Sequence, residues 1–196
     1  MSVLILGLVI FLGVHSTRIV ADEWRSTQIE RRGEKAWKGI YTVLSLIGFA
    51  LIIWGFGIAR GQTVVLYTPP LFLRHIASLL ILIAFVLLTA AYIPRNGIKA
   101  RLHHPMMLGV KTWAFAHLLT NGRLAGVVLF GAFLLWSILA FSAARKRDAR
   151  AGTTYPPGTL AGTMTTIIVG VVAWAIFAFW LHRLLIGVAP FAAMAG

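Results

Sequence analysis

The sequence predicts an all-α fold: a polytopic integral membrane bundle of about six transmembrane helices, forming a single domain over residues 1–196. Three observations lead there. Hydrophobic residues make up 59% of the chain, against about 45–50% in a typical soluble domain, and the mean hydropathy is +0.87. The apolar residues gather in runs close to the roughly 20 residues needed to cross a bilayer. The charges collect between those runs, where short basic loops at a membrane surface are expected.

The runs are taken in order. The first, Ser2–Ala21, contains "MSVLILGLVIFLGV" behind a start with no basic region and before no small-residue cleavage site. It is therefore expected to be a retained span and not a signal peptide. Spans two and three cover Trp37–Ala59 and Leu71–Ile93. The fourth, Pro105–Thr120, is short, carries Lys111 and ends at the turn dipeptide Asn121-Gly122. With the fifth, Leu124–Ala144, it reads as a tight helical hairpin. The sixth, Leu160–Ala189, is longer than a bilayer requires, so it should tilt or begin outside the hydrocarbon. Pro pairs in "RGQTVVLYTPP" and "RDARAGTTYPPG" stop helices between spans. The pairs Gly57…Gly61 and Gly122…Gly126 have the small-xxx-small spacing of close helix packing.

Charge sets the orientation. The loop after span one holds Arg18, Arg25, Arg31, Arg32, Lys35 and Lys38. The next loop on that side holds Arg95, Lys99 and Arg101, and the third holds Arg145, Lys146, Arg147 and Arg150. The opposite side has only Arg60, Arg74, Arg123 and Arg183. The positive-inside rule puts the three basic loops in the cytoplasm and both termini in the periplasm of a bacterial inner membrane. The net charge of +13 is thereby accounted for without a nucleic-acid partner. The absence of cysteine excludes disulfides, thiolate metal sites, a cysteine nucleophile and thioether-linked haem. The acids Asp22, Glu23, Glu30, Glu34 and Asp148 all fall in the basic loops, so a deeply buried histidine–carboxylate zinc site is not expected.

Six histidines remain as candidate ligands. His15 lies in span one, His75 at the outer start of span three, His103 and His104 at the inner start of span four. His117 and His182 lie near the outer ends of spans four and six. Ionisable groups inside a membrane mark function by default, although each imidazole alone is equally served by a neighbouring carbonyl. Facing imidazoles on separate helices can hold haem iron axially, and Trp113 and Phe115 flank His117 as apolar walls. At about 1.5 Å per residue, His15 falls beyond the midplane. A straight reading groups His75, His117 and His182 near the outer face and leaves His15 nearer His104. Arg18, one turn after His15, is a cation for a propionate or phosphate, or else reaches the headgroups. Tyr41, Ser45 and Asn121 are further candidate pocket residues. His103 is expected to be interfacial only.

The segments "FLGVHSTR", "RRGEKAWKGIYTVLSLIGFALIIWGFG", "HHPMMLGVKTWAFAHLLTNG" and "HRLLIGVAPF" resemble the NnrU family of bacterial membrane proteins over nearly the whole chain. That resemblance implies a role in denitrification, in nitrite and nitric oxide reduction. The family is similar to zeta-carotene isomerase, an integral membrane protein with haem b. By that likeness the haem ligands fall on His15 in "HSTR" and His117 in "WAFAH". The isomerase has a cysteine, an alternative iron ligand, one turn before its second histidine. Ala114 stands there in this chain, so the likeness implies haem without ligand exchange or carotene isomerisation. "HHPMMLG" is more distantly similar to isoprenylcysteine-type membrane methyltransferases. The polar tail that holds S-adenosylmethionine in those proteins is replaced by "GTTYPPGTLAGTMTTIIVGVV", which leaves His104-Pro105 as a structural corner with proline at the first helical position.

Three functions follow. The first is a haem b protein of nitrogen-oxide metabolism with a redox, haem-handling or nitric oxide-sensing role. Its candidate cofactor residues are His15, His117, His75, His104, His182 and Arg18, with His15 and His117 as metal ligands. The second is a cofactor-free assembly or transport partner of a membrane reductase. The third is an S-adenosylmethionine-dependent methyltransferase, which would need that cofactor at the His103/His104 face.

Overall fold

The computed structural model describes residues 1–62 and 64–191. Among these, helices are the only extended regular elements, and two isolated β-bridges lie in the connections. Nine α-helices occur: α1 (Ser2–Val20), α2 (Asp22–Arg32), α3 (Glu34–Ala59), α4 (Phe72–Tyr92), α5 (Gly97–Leu102), α6 (Pro105–Thr120), α7 (Leu124–Ala151), α8 (Leu160–Ile176) and α9 (His182–Ile186). A π-helical turn, Phe177–Leu181, joins α8 to α9 without a break. Five helical stretches are long and apolar enough to cross a membrane: α1, α3, α4, α7 and Leu160–Ile186. The 16-residue α6 is shorter than these.

Helices form at each expected run, five of them meeting the length and hydropathy of a span, and the regions between them are more helical than the charge pattern implied. The first basic loop is largely α2, and α3 begins at Glu34, before its apolar run. The acid-base mixture there does pair with itself: Lys38 with Glu34 at 2.8 Å, and Arg18 and Arg25 each with Asp22 at 3.9 Å. The basic run Arg145–Arg150 is the end of α7 and not a loop. Its residues are good helix formers, and the helix stops at Gly152, which takes the left-handed conformation (φ 60°).

Packing runs from helix to helix in the order α3, α1, α7, α6, α4, α8. The α1–α3 contact is antiparallel and very close. An added Cβ on Gly7 would stand 2.6 Å from the Ile52 nitrogen, and one on Gly48 would stand 2.7 Å from the Phe11 nitrogen. These glycines, with Gly55 against Leu4, form the small-residue seam. The spaced pair Gly57…Gly61 does not: nothing lies within 4 Å of an added Cβ at either residue. Gly126 faces only Asn121 in the neighbouring turn. Spacing alone therefore picked the wrong glycines, because many glycines share that spacing and only contact selects among them. The tightest apolar core joins α1, α3 and α7 through Leu4, Leu8, Ile52, Ala59, Ala125, Leu129 and Phe130. Large apolar side chains on the outward faces, such as Ile53, Trp54, Leu79, Leu139 and Val172, stay exposed, as bilayer contact requires.

Candidate functional site

His15 and His117 share one local geometry. The Nδ1 of His15 lies 2.7 Å from the Phe11 carbonyl, and that of His117 lies 2.9 Å from the Trp113 carbonyl, each one turn back on its own helix. A carbonyl only accepts, so Nδ1 carries the proton in both rings. In a neutral imidazole this leaves Nε2 with a free lone pair. It is the arrangement that orients a metal-ligating histidine.

Aromatic rings from α7 contact both. His15 stacks on Phe11 at 4.2 Å and lies beside Tyr41 of α3 and Trp136 of α7. His117 stacks on Phe130 at 4.5 Å and lies beside Trp113. Phe133 connects the two groups, 5.9 Å from Phe11 and 5.5 Å from Trp113. Phe130 and Trp136 are six positions apart on α7, about 9 Å along the helix axis. A chain of ring contacts through Phe11, Phe133 and Trp113 thus links the two imidazoles.

Next to His15, the buried Nε1 of Trp136 lacks a hydrogen-bond partner among the described residues. Ser45 lies one turn beyond Tyr41 on α3. Buried orphan donors are rare in native structures and call for an explanation. With the free Nε2 of His15, the Trp136 indole makes the α1–α3–α7 junction a place where an acceptor-bearing, iron-containing group finds matching chemistry. The other imidazoles are placed differently. His182 donates from Nδ1 to the Val188 carbonyl at 2.7 Å. His75 is exposed on α4. Arg18 is exposed and pairs with Asp22, while its carbonyl accepts from Arg147. The Asn121 side chain donates to the His117 carbonyl and caps that end of α6.

His104 belongs to a second cluster at the other end of α6. It precedes Pro105, the first residue of α6, as expected for a structural corner. His104 Nε2 and the Tyr155 hydroxyl both donate to Oδ2 of Asp148, each at 2.8 Å. His103, in the left-handed region at φ 65°, stacks parallel to Tyr155 at 4.2 Å. The Tyr155 hydroxyl bond, with His104 and His103 adding to it, holds the Asp148 carboxyl below its ordinary range. Burial, then the Asp148 contact, pushes the Tyr155 phenol up to about 12. Beside this cluster is a cavity of about 260 Å³ lined by His103, Arg145, Asp148, Ala149, Gly152 and Thr153.

Sequence reasoning missed Asp148, Tyr155 and Arg145 as one group, and Phe130 and Phe133 as ring partners. Asp148 carried a signal, since it is the only acid after Glu34. The phenylalanines carried none, because a helix this apolar presents rings on every face. Among the described residues, no three His, Asp or Glu side chains converge as a metal site.

The family model for NnrU protein matches residues 3–190. The chain belongs to the NnrU family. No curated protein and no solved structure matches it.

Proposed function

We propose that this NnrU protein is an inner-membrane component of nitrogen-oxide metabolism that binds haem b through His15 and His117. Family membership suggests the metabolic role. The observation that carries the haem reading is the shared tautomer: both Nδ1 protons are tied to backbone carbonyls, and both Nε2 atoms are free to ligate. Bound haem iron would supply a one-electron redox centre. The chain's own part is to orient and to exclude water. The Phe11 and Trp113 carbonyls hold the imidazoles, and Phe130, Phe133 and Trp113 keep the surroundings apolar. Trp136 and Tyr41 offer donors beside His15.

The topology in this reading has six crossings, with α6 and α7 as a tight hairpin and both termini periplasmic. The antiparallel contacts of α6 with α7, from His117–Phe130 through Lys111–Phe141 to His104–Asp148, support a full crossing by α6. His75 and His182 lie toward the outer end and His104 toward the inner.

The stacking of His15 on Phe11 and of His117 on Phe130, which occupies each imidazole within the fold, favours a second reading, a cofactor-free assembly partner of a membrane reductase. An absorption spectrum of protein purified in mild detergent, oxidised and then dithionite-reduced, separates the two. The haem reading expects a Soret band that sharpens, with split visible bands on reduction. His117→Ala should lose most of that absorbance at unchanged expression, and His103→Ala should keep it. A spectrum featureless beyond tryptophan absorbance after haem supplementation removes the haem reading and leaves the assembly partner.

A further inference from the structure

Lys111 has no place in the haem reading, nor has the cavity at the other end of α6. Lys111 lies on α6, six residues in from Pro105, and its Nζ stands 5.4 Å from the centre of the Phe141 ring. The Arg145 guanidinium stands 5.9 Å from the same ring. Two cations from two helices thus share one aromatic ring, a favourable contact for each. Among the described residues neither forms an ion pair. The acid close by, Asp148, is already occupied, because His104 and Tyr155 both donate to its Oδ2. Arg145 and His103 line the adjoining cavity of about 260 Å³. Asp148 is the one carboxylate on that wall, so Arg145 and Lys111 together outnumber it, and an opening lies beside them.

Its position indicates which anion. Arg145 begins the basic run of α7, directly after the apolar stretch that ends at Ala144. Ile138, two turns earlier and on the same stripe of the helix, is exposed, as are its neighbours Leu135 and Leu139. An apolar, outward-facing stripe that ends in an unpaired guanidinium matches a phospholipid, acyl chain along the stripe and phosphate at its end. Lys111 fits the same boundary, since its stem lies among apolar residues while its charge needs a polar neighbour. We propose that the α6–α7 junction binds the phosphate of an anionic phospholipid. Arg145 is the principal contact, His103 lies on the cavity wall, and Lys111 supplies a second positive charge. The Asp148 carboxylate is engaged through Oδ2 by His104 and Tyr155 and forms no ion pair with Arg145 among the described residues.

The test uses the full chain in detergent, with phosphatidylglycerol and phosphatidylcholine added in equal amounts. Retained lipid is quantified by mass spectrometry, and the melting temperature is recorded alongside. Wild-type protein should retain phosphatidylglycerol preferentially and melt higher in its presence. Arg145→Gln and Lys111→Gln should each lower that preference roughly fivefold, from the attraction lost per cation near an anionic surface. Arg145→Lys and Lys111→Arg should keep most of it, and Arg150→Gln, farther along α7, should change it little. Melting curves without lipid identify any variant that fails to fold, and the charge-keeping pair then carries the comparison. Equal preference in wild type and both glutamine variants would overturn the proposal. So would displacement of the lipid by inorganic phosphate at matching concentration, which would mark a site for free anions.

Discussion

The two ends of α6 are held by different chemistry. At the Pro105 end the clasp is made of side chains: His104 and Tyr155 on the Asp148 carboxylate, and His103 stacked on Tyr155. At the Asn121 end it is mostly backbone. The segment after α3 lies across the turn between α6 and α7, with Leu66 N–H donating to the Gly122 carbonyl at 2.8 Å and Leu124 N–H to the Val64 carbonyl at 2.9 Å. The Tyr67 hydroxyl adds bonds to the carbonyls of Leu118 and Asn121. One end therefore depends on ionisable groups and the other on close approach of two chains. The first should respond to acid and to charge, the second to volume.

The largest effect is expected at the backbone clasp. A Cβ on Gly122 would collide with the Tyr67 carbonyl, so Gly122→Ala must push the crossing segment away. It should cost about 1–3 kcal/mol of stability, while Gly57→Ala, with open space around it, should stay within about 0.5 kcal/mol. Unfolding in mixed micelles measures both, and equal effects would show that the crossing segment does not hold the turn. Next comes the side-chain clasp. His104→Ala removes one of two donors to a partly buried carboxylate, with an expected loss of about 1–2 kcal/mol. A loss matching that of His75→Ala, a change on the exposed face of α4, would mean that the contact contributes nothing.

The smallest effects are in pH dependence, and they sharpen the contrast most. The Asp148 carboxyl is held below its ordinary range, so its contribution is full above the unfolded-state value and is lost as pH falls below about 4. Tyr155 is raised to about 12, so its contribution is full below the ordinary tyrosine value near 10 and fades between about 10 and 12. Tyr67, raised by burial, should also weaken its end in alkali. The acid limb therefore belongs to the Pro105 end alone. Asp148→Asn should flatten that limb in a melting-temperature profile, and Tyr67→Phe should leave it unchanged. An acid limb that survives Asp148→Asn would place the sensitive carboxylate elsewhere, with the Glu34–Lys38 pair as the next candidate.

Much of the fold was legible in the residues. The spans appear as apolar runs because helices alone satisfy their backbone inside lipid, so composition over about 20 positions dictates both location and type. The Pro105 start of α6 and its stop before Asn121-Gly122 were legible for similarly local reasons. The free Nε2 of His15 and His117 also follows from local geometry, since each Nδ1 binds a carbonyl of its own helix one turn back. That local bond makes each histidine a competent ligand wherever its helix goes.

Only tertiary packing decided what meets what. Placing α7 between α1 and α6 brought Phe133 against both Phe11 and Trp113. It also gave His15 the ring neighbours Tyr41 of α3 and Trp136 of α7. Packing likewise drew Asp148, Tyr155 and Arg145 to the start of α6, more than 40 positions away in the chain from His104 in the case of Asp148. It also chose Gly7, Gly48 and Gly55 as the seam from among 19 glycines. The physical reason is common to all four. In a membrane helix, hydrophobicity drives insertion but does not distinguish one apolar face from another. Which faces pair is settled by the shapes of the assembled helices, and a linear pattern of apolar residues does not record it.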